Sequence, residues 1–236
     1  MGLNISKIKN SLSVIILCGG AGQRLRPLTG KVPKPLIKIK NKAIIEYIIN
    51  HFYKYKIKNI IIVTGYKHKL LKQFIYKKYK NSKIKVLDTG QKTEIIKRVS
   101  KISKQLSDNV ILCYGDTLAD IDLNKLIKFY LKNKNKFIVS SYELKSSFGI
   151  LDMNHKNVVT DFREKPKLGM WFNVGYFVFS NKYLKILKNF NKFKNLLFFL
   201  AKNKHMKAFK HTGKHITVNT ISELEEAKLQ IKKSKF

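Results

Sequence analysis

Cysteine is scarce in this 236-residue chain, and long apolar runs are missing. The two cysteines, Cys18 and Cys113, each lie in an apolar strand-like run, so we interpret them as buried free thiols rather than as a disulfide or a metal pair. The longest apolar stretches, such as VIILC and IIIV, are far too short to span a bilayer. The N-terminus lacks the apolar block and cleavage site of a signal peptide. These absences predict a cytoplasmic protein with no membrane partner.

Acidic residues and arginine are also few. The chain carries 14 acidic and 49 basic residues, a formal net charge of +35. Only Arg24, Arg26, Arg98 and Arg163 among the basic residues are arginine. Bidentate recognition of phosphate and guanine favours arginine, and the lysines are spread along the whole chain, so we predict no nucleic-acid partner. Such a surface would instead speed the arrival of small anions.

The first half of the chain alternates between strand and helix patterns. Buried strands are predicted at 13–18, 59–65, 83–88 and 109–116. Helices are predicted at 43–55, 67–79, 93–106 and 123–133. This alternation favours βαβ units and a parallel sheet.

The second half has a different rhythm. Short strands are predicted at 136–144, 148–153, 158–166 and 171–179, and in MKAFKH and KHITVN near the end. Helices are predicted at 181–203 and 222–233, the latter with Ser222 as cap and Glu225 three residues on. We therefore predict an α/β fold for residues 1–236 as a single Rossmann-like domain. Helices flank its mixed, mainly parallel sheet, which has a small antiparallel extension, and residues 1–10 form a loose N-terminal tail.

The segment ILCGGAGQRLRPLTGKVPKPL, residues 16–36, combines glycines with cations after a buried strand. Backbone amides of such a turn converge on anions, so a polyphosphate is the expected ligand. A P-loop would need glycine at position 25 and a hydroxyl residue at 32, where the sequence has Leu25 and Val32. A dinucleotide fingerprint also fails, because Leu25 replaces its third glycine and the next strand ends in VTG without a carboxylate.

A third kind of phosphate-binding site fits this segment, and its resemblance to a known family extends along nearly the whole chain. LCGGAGQRLRPLT with PKPL resembles the signature of the sugar-phosphate nucleotidyltransferases, and TEIIKRV, YGDTLADIDL, FGILDM, FREKPK, FNVGYFVF and VNTISELEEA follow in the order of that family. The combination resembles most closely the glucose-1-phosphate cytidylyltransferase branch. The resemblance implies a nucleotidyltransferase fold and an enzyme that joins a nucleoside triphosphate to a sugar 1-phosphate, releasing pyrophosphate. CTP is the first choice of nucleotide.

This reaction needs little acid–base chemistry. The attacking phosphate oxygen is already an anion, so the work lies in aligning two polyanions and stabilising the leaving group. The expected machinery is therefore amides, cations and a Mg²⁺ cofactor. The resemblance implies catalytic roles for Arg24, Lys34, Asp116 and Lys165.

Binding roles follow from the same resemblance. The nucleotide and its phosphates are expected to contact Gly19, Gly20, Gly22, Gln23, Arg24 and Arg98, although the family often has a small hydroxyl residue at the position of Gln23. The sugar phosphate is expected to contact Glu164, Lys165, Asn173 and Gly175. A glycine inside an apolar strand, as at position 175, independently favours close approach of a ligand or another backbone.

The metal site departs from the family pattern. Asp116 follows a buried strand and faces the expected ligand crevice, so it is the candidate Mg²⁺ ligand. A second Asp of the family is replaced here by Thr217 or Asn219, depending on alignment. Asp120 and Asp122 are interpreted as caps of the following helix.

Two alternatives to this function stay open in the sequence. The chain could be a non-catalytic regulatory protein that kept the nucleotide pocket, or a nucleotidyltransferase for another phosphorylated acceptor, such as a heptose or amino-polyol phosphate. A homo-oligomer is expected, because relatives commonly associate. His211 and His215 are interpreted as surface residues, since Gly213 between them argues against one helix face.

Overall fold

The computed structural model describes residues 5–133 and 136–232. Its strands are β1 (Leu12–Cys18), β2 (Lys38–Ile39), β3 (Lys42–Ala43), β4 (Ile60–Thr64), β5 (Lys85–Asp88), β6 (Asn109–Tyr114), β7 (Thr117–Ala119), β8 (Phe137–Lys145), β9 (Ile150–Met153), β10 (Val159–Arg163), β11 (Lys167–Ser180), β12 (Met206–His211) and β13 (His215–Thr217). Its helices are α1 (Ile5–Asn10), α2 (Leu28–Lys31), α3 (Ile44–Lys54), α4 (His68–Lys78), α5 (Ile95–Ile102), α6 (Leu123–Lys132), α7 (Lys182–Leu187), α8 (Phe193–Lys202) and α9 (Ile221–Lys232).

A seven-stranded sheet organises the molecule, in the order β12-β8-β11-β6-β1-β4-β5. Strands β6, β1, β4 and β5 are parallel, and β12 is parallel to β8. Only β11 runs against its neighbours in this sheet, pairing antiparallel with both β6 and β8. Two-stranded antiparallel sheets formed by β9 with β10, β7 with β13 and β2 with β3 complete the described strands. The predicted α/β fold, with a mixed, mainly parallel sheet and antiparallel additions, is confirmed.

Helices cover both faces of the sheet, because side chains of each central strand alternate between two cores. In β1, Val14 and Ile16 point into the core formed with α3, α4, α6 and α9. Ile15, between them, points into the core formed with α5, α7 and α8. This two-sided burial explains why the central strands are continuous apolar runs in the sequence.

Three local predictions differ from the structure. The helix predicted at 181–203 is two helices, α7 and α8, separated by an Asn-containing stretch of the kind that favours turns. The cap of α9 is Thr220 rather than Ser222, since the Thr220 hydroxyl accepts from the backbone N–H of Glu223 at 3.2 Å. Of the predicted loose tail, residues 1–4 lie outside the described residues, whereas residues 5–10 form α1, and its Ile5 and Ile8 pack against the core.

Membrane crossing is not supported by any helix in 5–133 or 136–232, because none combines the required length with the required apolarity. Cytoplasmic localisation stays a prediction.

Candidate active site

The loop after β1 and the turn after β6 enclose a cleft at the carboxyl ends of the parallel strands. A cavity of about 540 Å³ lies there, lined by Gly20, Gly22, Gln23, Arg24, Lys34 and Asp116, among others. Asn219, just before α9, closes its far side. Residues from four separate regions of the chain therefore meet where ligands bind in open α/β sheets.

Gly20 and Gly22 of the loop are glycines for different physical reasons. Gly22 adopts a left-handed conformation, with φ of 61°, and a side chain there would crowd Thr29 and Lys34 at 3.0 and 3.1 Å. Nothing lies within 4 Å of where a Gly20 side chain would begin, so its backbone is open to a ligand. The Gly22 carbonyl accepts from the Thr29 hydroxyl at 3.0 Å, which fixes the turn. The loop thus presents bare main chain to the cavity.

A cluster of four polar side chains forms the centre of the cleft. Lys34 Nζ donates to Asp116 Oδ2 at 2.6 Å and to Asn219 Oδ1 at 3.0 Å. Arg24 Nη2 donates to the same Asn219 oxygen at 3.2 Å. Lys34 is buried, whereas the Asp116 side chain is 36% exposed and therefore accessible from the cavity. Two cations and two oxygen ligands are brought together, so the cluster can hold a highly anionic substrate.

Local backbone structure holds each member of this cluster. Lys34 begins a 3-10 turn between Pro33 and Pro35, and the Ile37 N–H donates to the Lys34 carbonyl at 3.0 Å. Pro33 is extended and Pro35 lies within the 3-10 turn, so a proline restricts the backbone on each side of Lys34. Asn219 is fixed because its backbone N–H donates to the Glu223 carboxylate at 2.7 Å.

Asp116 is positioned by close contact between β1 and the turn after β6. The Gly115 N–H donates to the Leu17 carbonyl at 3.0 Å. A side chain at Gly115 would collide with Cys18 Sγ, so only glycine allows this approach. Burial, and next the charge of Asp116, raises the pKa of the Cys18 thiol, which keeps it neutral. Cys18 therefore serves packing rather than nucleophilic chemistry, in agreement with its interpretation as a buried thiol.

Arg98 lines the second lobe of the cleft and also has a structural role, while its predicted phosphate contact stays a prediction. Its buried guanidinium donates from Nη1 to the Thr64 carbonyl at 2.7 Å and to Thr89 Oγ1 at 2.6 Å. Nη2 donates to the carbonyls of Gly19 and Gln91 at 3.3 and 3.1 Å. Burial lowers the pKa of Arg98, and the nearby charges of Asp88 and Glu94 act in the opposite direction without cancelling this effect. Arg98 is a clamp that ties the glycine loop to the loops after β4 and β5.

The clamp also explains the first glycine of the loop. A side chain at Gly19 would collide with the Arg98 guanidinium, so Gly19 makes room for the clamp, and Gly19 also lines the second lobe of the cleft. A second cavity of about 500 Å³ adjoins the clamp and is lined by Gly20, Lys92, Tyr114 and Asp116, among others. Because the two cavities share Gly20 and Asp116, they are adjoining lobes of one cleft.

The predicted sugar-side residues lie apart from this cluster, and none of them lines either lobe. Glu164 and Lys165 form an exposed pair, Nζ to Oε1 3.7 Å, in which Lys165 has a φ of 46°. Asn173 Oδ1 accepts from the Gly175 N–H at 2.7 Å, at a bulge in β11. A side chain at Gly175 would strike the ring of Tyr114, and the φ of 75° also favours glycine here, while its predicted contact with the sugar phosphate stays a prediction.

Tyr114 is a residue that the motifs alone did not single out. It lies two residues before Asp116, lines the second lobe, and interacts with the side chain of Asn173. Burial raises the pKa of Tyr114, so it stays a neutral phenol. Tyr114 therefore links the strand that carries Asp116 with the strand that carries Asn173. The only sequence signal for it was its place in YGD.

Several predicted roles near the cleft are also resolved. Asp122 caps α6, accepting from the Lys125 N–H at 3.0 Å, as predicted. Asp120 is not a cap: it accepts from the backbone N–H of Lys214 at 2.6 Å. His211 is buried rather than at the surface, with Nε2 3.3 Å from Asp120 Oδ1. Thr217 pairs with Thr117 in the β7–β13 sheet, whereas Asn219 accepts from the same Lys34 Nζ as Asp116.

The oxygens of Asp116 and Asn219 fit a hard divalent cation. Both converge on one positive group, Lys34 Nζ, and carboxylate and amide oxygens are ligands that Mg²⁺ accepts. Within the described part of the chain no group of three or more His, Cys, Asp or Glu residues could hold a metal. A metal ion at Asp116 would therefore need oxygens from a substrate, as expected for Mg²⁺ with a nucleoside triphosphate.

Comparison with known proteins agrees with this geometry. A sequence model described as "Nucleotidyl transferase" matches residues 13–219, which include Lys34, Asp116 and Asn219. A glucose-1-phosphate cytidylyltransferase from Salmonella typhimurium is 27% identical, over 86% of this chain and 89% of its own. A D-glycero-alpha-D-manno-heptose 1-phosphate guanylyltransferase from Campylobacter jejuni is 29% identical, over 65% of this chain and 69% of its own. HddC from Yersinia pseudotuberculosis, solved in complex with GMP-PN, superposes with a TM-score of 0.72 at 25% identity, covering 93% of this chain and 99% of that chain.

Proposed function

The chain belongs to the nucleotidyl transferase family, as its sequence resemblance predicted, and from that premise we propose that it condenses a nucleoside triphosphate with a sugar 1-phosphate. The products are a nucleoside diphosphate sugar and pyrophosphate, and CTP is the proposed nucleotide. The observation that carries the proposal is the convergence of Arg24, Lys34, Asp116 and Asn219 beside the open glycine loop.

The nucleotide side of the reaction depends on charge and backbone amides. The main chain around Gly20 and Gly22 is open to the cavity and would donate to the triphosphate oxygens. Arg24 is exposed at the mouth and would bind phosphate with its planar fork. Lys34 is the buried cation of the cleft and would stabilise the charge that develops as pyrophosphate leaves.

Asp116 and Asn219 would hold the Mg²⁺ cofactor together with the triphosphate. When bound, Mg²⁺ would neutralise phosphate charge and favour the leaving group. Asp116 is suited to this role because its carboxylate is partly exposed to the cavity while its backbone is locked against β1. No general base is required, since the attacking phosphate oxygen is already ionised.

The sugar side is assigned to Glu164, Lys165, Asn173 and Gly175. Glu164 would accept from sugar hydroxyls, and Lys165 would bind the sugar phosphate. Support for this part comes from the family motif and from the link between Asn173 and Tyr114, which borders the nucleotide lobe. The exposed Glu164–Lys165 pair must approach Asp116 for the two substrates to react.

A substrate panel tests the proposal. Purified protein is incubated with Mg²⁺, each of the four nucleoside triphosphates plus dTTP, and a set of hexose and heptose 1-phosphates, and pyrophosphate release is measured. We expect CTP with a hexose 1-phosphate to give the highest rate. Nucleotide binding by calorimetry from folded protein, without turnover on any pair, would contradict catalysis and favour the regulatory alternative.

Metal binding is tested separately with Asn219→Asp. A second carboxylate beside Asp116 should lower the Mg²⁺ concentration needed for half-maximal rate. Thr217→Asp, in the β7–β13 sheet, is the matched control and should leave that concentration unchanged. Equal shifts in both variants would show that Asn219 is not at the metal.

A second substrate pair is favoured by one observation. The Campylobacter jejuni relative named for heptose 1-phosphate and guanylyl transfer is as similar in identity as the cytidylyltransferases are. The same panel decides between the pairs, because GTP with a heptose 1-phosphate would then exceed CTP with a hexose 1-phosphate.

A further inference from the structure

The second lobe of the cleft combines apolar walls with a polar edge. Its volume of about 500 Å³ lies within the range of pockets that hold small ligands. Leu17, Ile95 and Tyr114 line its walls, and the loop 91–94 forms the polar edge. A nucleobase has the matching chemistry, because it is a flat ring whose rim carries hydrogen-bonding groups. The second lobe is therefore suited to a nucleoside.

The arrangement of the cleft places the nucleoside there, a step that rests on the proposed function. Arg24 and Lys34 line the first lobe, the cavity of about 540 Å³, which is where the triphosphate would lie. The two lobes share Gly20 and Asp116, so a nucleotide can extend from one lobe into the other. The predicted sugar-side residues line neither lobe. The second lobe is thus left for the nucleoside.

Neighbouring residues fix the loop 91–94. The Thr93 hydroxyl donates to the Thr89 carbonyl at 2.7 Å. The same carbonyl accepts from Lys101 Nζ at 2.9 Å. Arg98 donates to the Gln91 carbonyl at 3.1 Å, as part of its clamp. Side chains on this loop therefore extend from a backbone with a defined position, which recognition of a particular ligand requires.

Lys92 and Glu94 take no part in this anchoring. Both are exposed, and neither side chain forms a hydrogen bond or an ion pair with another residue in 5–133 or 136–232. Glu94 precedes the first turn of α5, yet its carboxylate does not cap that helix. Burial lowers the pKa of Arg98, and the charge of Asp88 opposes this effect more than the charge of Glu94 does. Balancing the charge of Arg98 is therefore mainly a role of Asp88.

A carboxylate at the edge of a site for a polyanion needs a compensating partner. Among the described residues that line the second lobe, Asp116 and Glu94 are the two carboxylates. Asp116 is the proposed metal ligand, so the cation would offset its charge. The charge of Glu94 would oppose the phosphates of the ligand unless the ligand brings a donor to it. Nucleobases with an exocyclic amino group bring such a donor.

We propose that Lys92 and Glu94 select the base of the nucleotide. Glu94 accepts a hydrogen bond from an exocyclic amino group, a pairing that carboxylates also make with cytosine in nucleic-acid recognition. Lys92 donates to a ring carbonyl oxygen. Cytosine and guanine carry both groups, whereas adenine lacks the carbonyl, and uracil and thymine lack the amino group. The pair therefore favours CTP and GTP over ATP, UTP and dTTP.

Calorimetry with Mg²⁺ and each of these nucleotides tests the selection without reference to turnover. The wild type should bind CTP, GTP or both at least about tenfold more tightly than ATP, UTP and dTTP. In Glu94→Gln the side-chain amide can also donate to a carbonyl, so the margin over UTP and dTTP should shrink at least about fivefold. Lys92→Met should shrink the margin over ATP in the same way. Glu225→Gln is the matched control, because it removes the same charge at an exposed position of α9 outside both lobes, and it should keep the wild-type margins.

The ratios between nucleotide affinities separate selection from a structural role. A Glu94 that only supports the fold would leave the margins unchanged in Glu94→Gln, even if all affinities fell together. That result, a wild type without this preference, or a wild type that binds no nucleotide overturns the proposal. The tighter of CTP and GTP identifies which of the two bases is preferred. Selective binding without turnover of any substrate pair would refute the proposed catalysis but not the selection, whereas similar turnover of every nucleotide would refute the selection alone.

Discussion

Arg98→Lys distinguishes a structural clamp from a phosphate ligand. The guanidinium donates to four oxygen acceptors: the carbonyls of Gly19, Thr64 and Gln91, and the hydroxyl of Thr89. A lysine ammonium donates from a single point and cannot span acceptors that the two terminal nitrogens of arginine reach separately. The substitution keeps the positive charge but leaves about two buried acceptors without a donor.

The expected loss of stability follows from these contacts. Arg98 is 5% exposed, so its hydrogen bonds are not replaced by water at low cost. Leaving buried acceptors unpaired costs about 1–3 kcal/mol each, so with two of them we expect the free energy of unfolding to fall by about 2–6 kcal/mol. For a chain of this size that corresponds to a decrease in Tm of roughly 4–24 °C.

Thermal unfolding of the ligand-free protein, followed by circular dichroism, measures this loss, and calorimetry measures nucleotide affinity. Arg24→Lys is the matched control, since Arg24 is exposed at the mouth of the cleft. It should change Tm by no more than about 2 °C while weakening nucleotide binding. If Arg98→Lys keeps the wild-type Tm and loses only nucleotide affinity, Arg98 is a phosphate ligand and the clamp is wrong.

Three further predictions concern the same region and two half-buried histidines, His51 and His215. Asp116→Asn should lower kcat about 10²–10³-fold without loss of folded structure by circular dichroism, and a wild-type rate would remove Asp116 from the metal site. Gly115→Ala should destabilise the fold by about 1–3 kcal/mol in urea titrations, because its methyl group meets Cys18 Sγ; an unchanged midpoint would show that the turn can move. Burial lowers the pKa of both His51 and His215 to about 4, below the unfolded value of about 6.5. Stability is therefore fully present above pH 6.5 and should fall as the pH drops toward 4. His215→Gln should make the urea midpoint depend less on pH between 6.5 and 5, because one of the two histidine contributions is removed. An unaltered dependence would contradict a neutral, half-buried His215.

The elements that carry the fold were predictable because their signals are local. Strands β1, β4 and β6 are short apolar runs ended by glycine or threonine, and the helices between them have regular apolar spacing. The interruption between α7 and α8 was missed, because apolar residues continue across it and only the asparagines mark the break.

The centre of the cleft was predictable for a related reason. The glycine loop, Lys34 between its two prolines, and Asp116 after a buried strand each carry their signal within a few residues. Parallel strands then place their carboxyl ends together, whatever the rest of the chain does. Such local motifs could not reveal which face of α5 Arg98 occupies.

By itself the sequence determined the βαβ alternation, the family and the residues of the glycine loop, because periodicity and turn chemistry act over a few neighbouring residues. Only the tertiary structure decided that Asn219 shares Lys34 with Asp116, that Arg98 donates to the carbonyl of Gly19 in the glycine loop, and that Tyr114 fills the space beside Gly175. Lys34 and Asn219 are 185 positions apart, and Gly19 and Arg98 are 79 apart. Contacts at such separations depend on how the sheet is ordered and twisted, which no local pattern of residues encodes.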